Sequence, residues 1–186
     1  RDAQAASVVG RPIAAEQIEA QGGPVTRIAG GWSARDLIRA MRPHQWVKNV
    51  LLLLPMIAAH EFGLMSFAMV ALGMAAFSAA ASAIYIVNDL LDLEADRLHA
   101  TKRNRPFASG AVPSQGGRAA SIALLVVALA IGAVLGPAFL GVVSLYMVLS
   151  LAYSLKLKRL RWSDIATLAS LYTLRVVAGA AATQVD

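Results

Sequence analysis

The chain of 186 residues has no cysteine, which excludes disulfides and thiolate metal sites. Charge is also scarce. Only 15% of residues are Asp, Glu, Lys or Arg, against about 25% in a soluble domain, and 58% are hydrophobic. The three histidines, His44, His60 and His99, have no second histidine at ligand spacing, which argues against zinc. Between Val50 and Val87 the only acidic, basic or histidine residues are His60 and Glu61, and none occurs from Ala119 to Leu155. A composition so poor in charge points to a membrane protein.

The charge that is present comes in short clusters. The net charge of +6 is concentrated in a few basic runs, a pattern of membrane topology signals and not of a nucleic-acid-binding face. The stretches 50–87 and 119–155 each exceed the roughly 20 residues of one span. The polar turn at His60-Glu61-Phe62-Gly63 divides the first, and Gly136-Pro137 divides the second. A fifth apolar segment runs from about Ile165 to Ala182, interrupted by Arg175. Arg35, Arg39, Arg42 and Lys48 precede the first span. Arg97, Lys102, Arg103, Arg105 and Arg118 follow the second, and Lys156, Lys158, Arg159 and Arg161 follow the fourth. The connections at His60 and Gly136 hold no Lys or Arg, so all three basic regions are expected on the cytoplasmic side. The expected class is therefore an all-α membrane protein with five transmembrane helices.

Residues 1–33 read as a soluble tail or linker from an upstream domain, with no signal-peptide layout. A short helix is expected to open at Pro12 and stop at Gly22-Gly23-Pro24. Ser33, with Asp36 three residues on, caps an expected amphipathic helix over 33–42. Its basic side carries Arg35, Arg39 and Arg42, which suits an anionic interface.

Four acids fall within eight positions, Asp89, Asp92, Glu94 and Asp96, beside a long apolar run. An unpaired charge beside hydrocarbon costs several kcal/mol, roughly, so such placement has a reason. On a continuing helix Asp89, Asp92 and Asp96 are spaced i, i+3, i+7 and share one face. Three hard oxygens at a membrane edge suit Mg²⁺, with Asn88 adding an uncharged one. The plainer alternative is a solvated helix end. Mg²⁺ held this way usually serves a phosphate, and basic side chains clamp the departing diphosphate. Lys102, Arg103 and Arg105 are candidates for that task, although topology alone explains several basic residues. Arg175 lies about ten residues into its span, too deep to reach the surface, and needs a polar partner. Function and structural pairing both remain open for it.

The run Asn88-Asp89-x-x-Asp92-x-x-x-Asp96 resembles the first aspartate-rich motif of the UbiA superfamily of intramembrane prenyltransferases, over about residues 35–183. Arg42-Pro43-His44-Gln45-Trp46-Val47-Lys48-Asn49, and Asp96-Arg97-x-His99-x-x-Lys102-Arg103-x-Arg105-Pro106, are similar to the branch of decaprenyl-phosphate phosphoribosyltransferases. Tyr153-x-x-Lys156-x-Lys158 and Asp164…Arg175 fit that branch too. Ala100 stands where the family usually has proline. Residues 1–33 faintly resemble the end of a haloacid-dehalogenase-like domain.

The resemblance implies a nine-helix bundle, of which residues 34–186 form the first part, and a second aspartate-rich motif after the fifth span. The chain alone is expected to be inactive. It also implies Mg²⁺ at Asp89, Asp92 and Asp96 as the catalytic and metal-holding set. Asn88, Lys102, Arg103, Arg105, Arg42, Lys48, Tyr153, Lys156, Lys158 and Arg175 are the expected substrate-binding set. The expected partners are a diphosphate-bearing donor, a polyprenyl or other isoprenoid lipid and the cell membrane, with no nucleic acid. The implied reaction moves 5-phosphoribosyl from phosphoribosyl diphosphate to polyprenyl phosphate. The alternatives are isoprenyl transfer to an aromatic acceptor and, outside enzymes, an ion-coordinating transporter. No Asp-Gly-x-x-Ala-Arg run of the CDP-alcohol phosphotransferases occurs.

Overall fold

The computed structural model describes residues 6–9, 25–28, 33–155 and 161–183, with side chains described over 33–155 and 165–183. The helix expected from Pro12, and Lys156 and Lys158, lie outside the described residues.

Capping and turn residues set the element ends where expected. Ser33 Oγ accepts from the Asp36 N–H at 3.3 Å and donates to Asp36 Oδ2 at 2.8 Å, which starts helix α1 (Ala34–Met41). The chain then turns sharply at Arg42, whose φ of 54° places a bulky residue in the left-handed region just before Pro43. A 3-10 helix (Pro43–Leu52) leads into α2 (Leu53–Ala58), and His60, at φ 56°, turns the chain towards α3 (Leu64–Leu91). After α3 come α4 (Leu93–Leu98) and a 3-10 turn (Lys102–Asn104). Gly136, at φ 110°, separates α5 (Ser114–Leu135) from α6 (Pro137–Leu155), with Pro137 at the first helical position. The last helix is α7 (Arg161–Thr183).

Four helices are long and apolar enough to cross a membrane: α3, α5, α6 and residues Ile165–Thr183 of α7. The expected first span takes another form. Its residues, from Val50 to the turn at His60, make only the end of the 3-10 helix and α2, neither of which meets that criterion. At about 2.0 Å per residue in the 3-10 part and 1.5 Å in the α part, the contour of residues 50–58 is about 15 Å. That is about half of the hydrocarbon thickness of about 30 Å. Exposed apolar surface is plentiful elsewhere. Ile122, Val126, Val134 and Val148 are exposed, and α5 and α6 are buried over only 22% of their most apolar windows, against 61% for α3.

The chain divides into two compact units. The first comprises residues 1–41 and 86–119. It holds α1, the end of α3, α4 and the following turns. It also holds two strands absent from the sequence reading, β1 (Ala6–Val9) and β2 (Val25–Ile28), paired in parallel from Ala6↔Val25 to Val9↔Ile28. The all-helical class holds for the described residues 33–155 and 161–183. The second unit comprises residues 42–85 and 120–186. There α7 packs against the 3-10 helix, α2 and α6. Leu52 and Met56, Phe77 of α3, Phe139 and Val143 of α6, and Ala178 and Ala182 of α7 share one core. Phe77 meets Phe139 edge-on at 6.0 Å. A Cβ on Gly179 would collide with the Leu52 carbonyl oxygen and stand 2.9 Å from its carbon, so only glycine lets these backbones approach.

Candidate functional site

The acidic stretch spans the end of α3 and all of α4. It is not one unbroken helix. Asp92 lies between the two, at φ −90° and ψ 9°. Helical hydrogen bonds nevertheless cross the junction, from Asp92 N–H to the Asn88 carbonyl at 2.9 Å and from Asp96 N–H to the Asp92 carbonyl at 2.8 Å. The i, i+7 pair therefore keeps its register. Asp89 and Asp96, 3% and 2% exposed, both accept from Arg105 Nη1, at 3.2 and 2.6 Å. Asp92 is half-buried and has partners of its own, but it is not on Arg105.

Arg105 is the main departure from expectation. The sequence places it on phosphate, whereas here it serves as the counter-ion of two sealed carboxylates. A buried carboxylate without such a partner costs several kcal/mol, roughly. Lys102 and Arg103 sit on the exposed 3-10 turn just before it. The turn that carries Arg105 is fixed by Phe107, Ala108 and Val112, all buried. Phe107 lies so close to Gly117 that a Cβ there would collide with its ring.

A divalent cation fits these donors in kind. Two carboxylates and an amide give hard oxygens, and Asn88 Oδ1 is buried with no hydrogen-bond partner. Among the described residues, no three acidic, histidine or cysteine side chains already stand in a metal-holding group. The expected three-carboxylate trio is thus a convergent pair with a third acid nearby in sequence. Mg²⁺ commonly takes one or two carboxylates and fills its other positions with phosphate and water.

The second unit gathers the other expected residues. Arg175, 7% exposed, donates to Asn49 Oδ1 at 3.1 Å, to the Leu171 carbonyl at 2.7 Å and to the Tyr146 hydroxyl at 3.1 Å. Asn49 donates to Ser78 Oγ at 2.9 Å, and Ser78 donates to the Met74 carbonyl at 2.7 Å. The Arg175 guanidinium lies over the rings of Tyr146 and Tyr172, 5.0 and 5.7 Å from their centroids. Lys48 Nζ lies 6.0 Å from the same Tyr172 centroid, and Arg42 is 4.9 Å from that of Tyr85. Tyr153 is half-buried on α6 and partnered. Ser78, Tyr85 and Tyr146 were not singled out from the sequence, and Asn49 only as the last residue of the run from Arg42. Polar residues inside otherwise apolar runs were the available signal, but which of them face one another depends on packing.

Residues 49–186 match the UbiA prenyltransferase family. The chain belongs to that family. It is similar to the decaprenyl-phosphate phosphoribosyltransferase of Mycobacterium tuberculosis, with 38% identity over 167 residues, 87% of this chain and 53% of that protein. The protein of the same name from Corynebacterium glutamicum is 41% identical over 160 residues, 82% of this chain and 48% of the relative. The chain thus spans about half the length of these relatives. Among solved structures, a UbiA homologue from Archaeoglobus fulgidus bound to DMAPP and Mg²⁺ superimposes with a TM-score of 0.67. That match has 22% identity and covers 81% of this chain and 55% of the homologue, so it bears on fold alone. As a UbiA member with four apolar spanning helices, the protein is integral to the membrane.

Proposed function

We propose that the full-length protein transfers 5-phosphoribosyl from phosphoribosyl diphosphate to a polyprenyl phosphate, with residues 88–105 on the donor side. The observation that carries this reading is the convergence of buried Asp89 and Asp96 on one Arg105 nitrogen, in the stretch that holds the orphaned Asn88 oxygen. Two relatives are named for phosphoribosyl transfer to decaprenyl phosphate, which supports the choice of donor and acceptor. The Archaeoglobus neighbour, solved with a prenyl diphosphate and Mg²⁺, supports a metal-assisted diphosphate on this fold.

Mg²⁺, when bound, supplies neutralisation of the diphosphate as it departs. Asp89, Asp92 and Asp96, with Asn88, offer the oxygens that hold it. Arg105 exchanges its carboxylates for donor phosphate oxygens, where its planar fork binds two at once. Lys102 and Arg103 add charge from the exposed turn. An oxygen of the lipid phosphate forms the new bond to C1 of the ribosyl group as the C1–O bond to diphosphate breaks. The diphosphate leaves with the electron pair. The excess of Lys and Arg in this connection supports a cytoplasmic position for it.

A second reading, isoprenyl transfer to an aromatic acceptor, is favoured by the neighbour's capture with DMAPP and also with GPP. Donor competition separates the two. Full-length protein in vesicles containing polyprenyl phosphate, given radiolabelled phosphoribosyl diphosphate and Mg²⁺, is expected to yield a labelled lipid, with geranyl diphosphate giving none. Labelled prenyl-arene from geranyl diphosphate, with no ribosylated lipid, would establish the second reading instead. Ion flux without any group transfer would show a transporter.

A further inference from the structure

Two cations in the second unit have no carboxylate partner among the described residues. Arg175 is almost sealed inside the bundle, and its hydrogen bonds go to an amide, a peptide carbonyl and a tyrosine hydroxyl, all neutral. Lys48 is half-buried and rests on the Tyr172 ring, on which Arg175 also lies. Tyr172, the ring that both cations approach, is 42% exposed. Neutral acceptors and aromatic faces hold a guanidinium in place but leave its charge uncancelled. Three of the five N–H donors of Arg175 are used within the chain, and two remain.

We infer that Lys48 and Arg175, arranged about Tyr172, form the site for the phosphomonoester head of the lipid acceptor. This inference rests on the proposed transfer for the identity of the lipid. Two fixed positive charges match a phosphomonoester, which carries about −1.5 to −2 at neutral pH. The position within a membrane-spanning bundle matches a ligand whose other end is hydrocarbon. Arg175 is held in place by Asn49 and Tyr146, so little order is lost on binding. Lys48 makes no hydrogen bond in that network, so it leaves its ring at small cost when phosphate arrives. A purely structural Arg175, pinning α7 to the 3-10 helix and α6, would need no second cation beside it.

Lys48 gives the clean test, because Lys48→Gln removes the charge and leaves the Arg175 hydrogen bonds intact. Binding of a short polyprenyl phosphate, the matching polyprenol and inorganic phosphate to full-length protein in detergent is measured by thermal shift and by native mass spectrometry. Donor and metal are omitted, so failure of the donor assignment leaves the result unaffected. The expected result is that polyprenyl phosphate binds at least about tenfold more tightly than polyprenol or inorganic phosphate. That preference falls about tenfold in Lys48→Gln and in Arg175→Lys, with helix content unchanged in the former. Equal binding of polyprenol, equal binding of inorganic phosphate, no binding of the lipid phosphate, or a preference unchanged in folded Lys48→Gln would each overturn the assignment.

Discussion

Asp89 and Asp96 are sealed from solvent, and the charge that makes this tolerable comes from Arg105, which keeps 29% of its side-chain surface exposed. Removing the cation takes from both buried carboxylates the guanidinium they share. Arg105→Gln is therefore expected to destabilise the protein by about 2–3 kcal/mol, somewhat less than the loss for a fully buried pair because the arginine is partly solvated. The melting temperature in detergent reads this directly. Addition of Mg²⁺ is expected to restore part of the loss, since another cation then occupies the same oxygens. An Arg105→Gln protein that melts like the wild type would show that the pair contributes little. The residue types of this centre, three aspartates, an asparagine and trailing basic residues, were legible in the sequence. Which cation turns inward was not, because Arg103 and Arg105 are alike in composition. The turn at Pro106-Phe107 decides it, by packing Phe107 against Gly117.

Elements were legible where local chemistry fixes them. The Ser33 cap and the breaks at His60 and at Gly136-Pro137 follow from capping, proline and left-handed turn residues. The 3-10 form of Pro43–Leu52 does not, since hydrophobicity has no preference between helix types at this length. The four-residue strands β1 and β2 were missed because four residues carry too little alternation to read. Two substitutions probe the element scale. Ser33→Ala removes the side-chain cap of α1, worth about 1 kcal/mol, and amide exchange across 34–41 is expected to speed about fivefold. Gly179→Ala drives a methyl into the Leu52 backbone and is expected to cost at least about 1–3 kcal/mol. Gly141→Ala is its control. A Cβ there meets nothing within 4 Å, so the higher helix propensity of alanine is expected to leave the melting temperature unchanged or raise it.

At the scale of the whole molecule, the scarcity of charge and its placement set the orientation in the bilayer. The absence of cysteine makes that orientation easy to measure. Single cysteines introduced as R103C and E61C, both at exposed positions, are expected to react with an impermeant maleimide from opposite sides, position 103 from the cytoplasm. Labelling of both from one side would overturn the alternating topology. The transmembrane class and the family motif were visible in the sequence because hydropathy and the aspartate spacing are both local in the chain. The buried network of Arg175, Asn49, Tyr146 and Ser78 was not, because it joins residues up to 126 positions apart.

All of this depends on a diphosphate being held at Asp89 and Asp96. The most direct measurement is calorimetric titration of phosphoribosyl diphosphate into full-length protein with and without Mg²⁺, for the wild type, Asp89→Asn and Asp96→Asn. Mg²⁺-dependent binding in the wild type is expected, weakened at least about a hundredfold, or about 2.7 kcal/mol, in each variant. Binding of equal strength in all three proteins would contradict it.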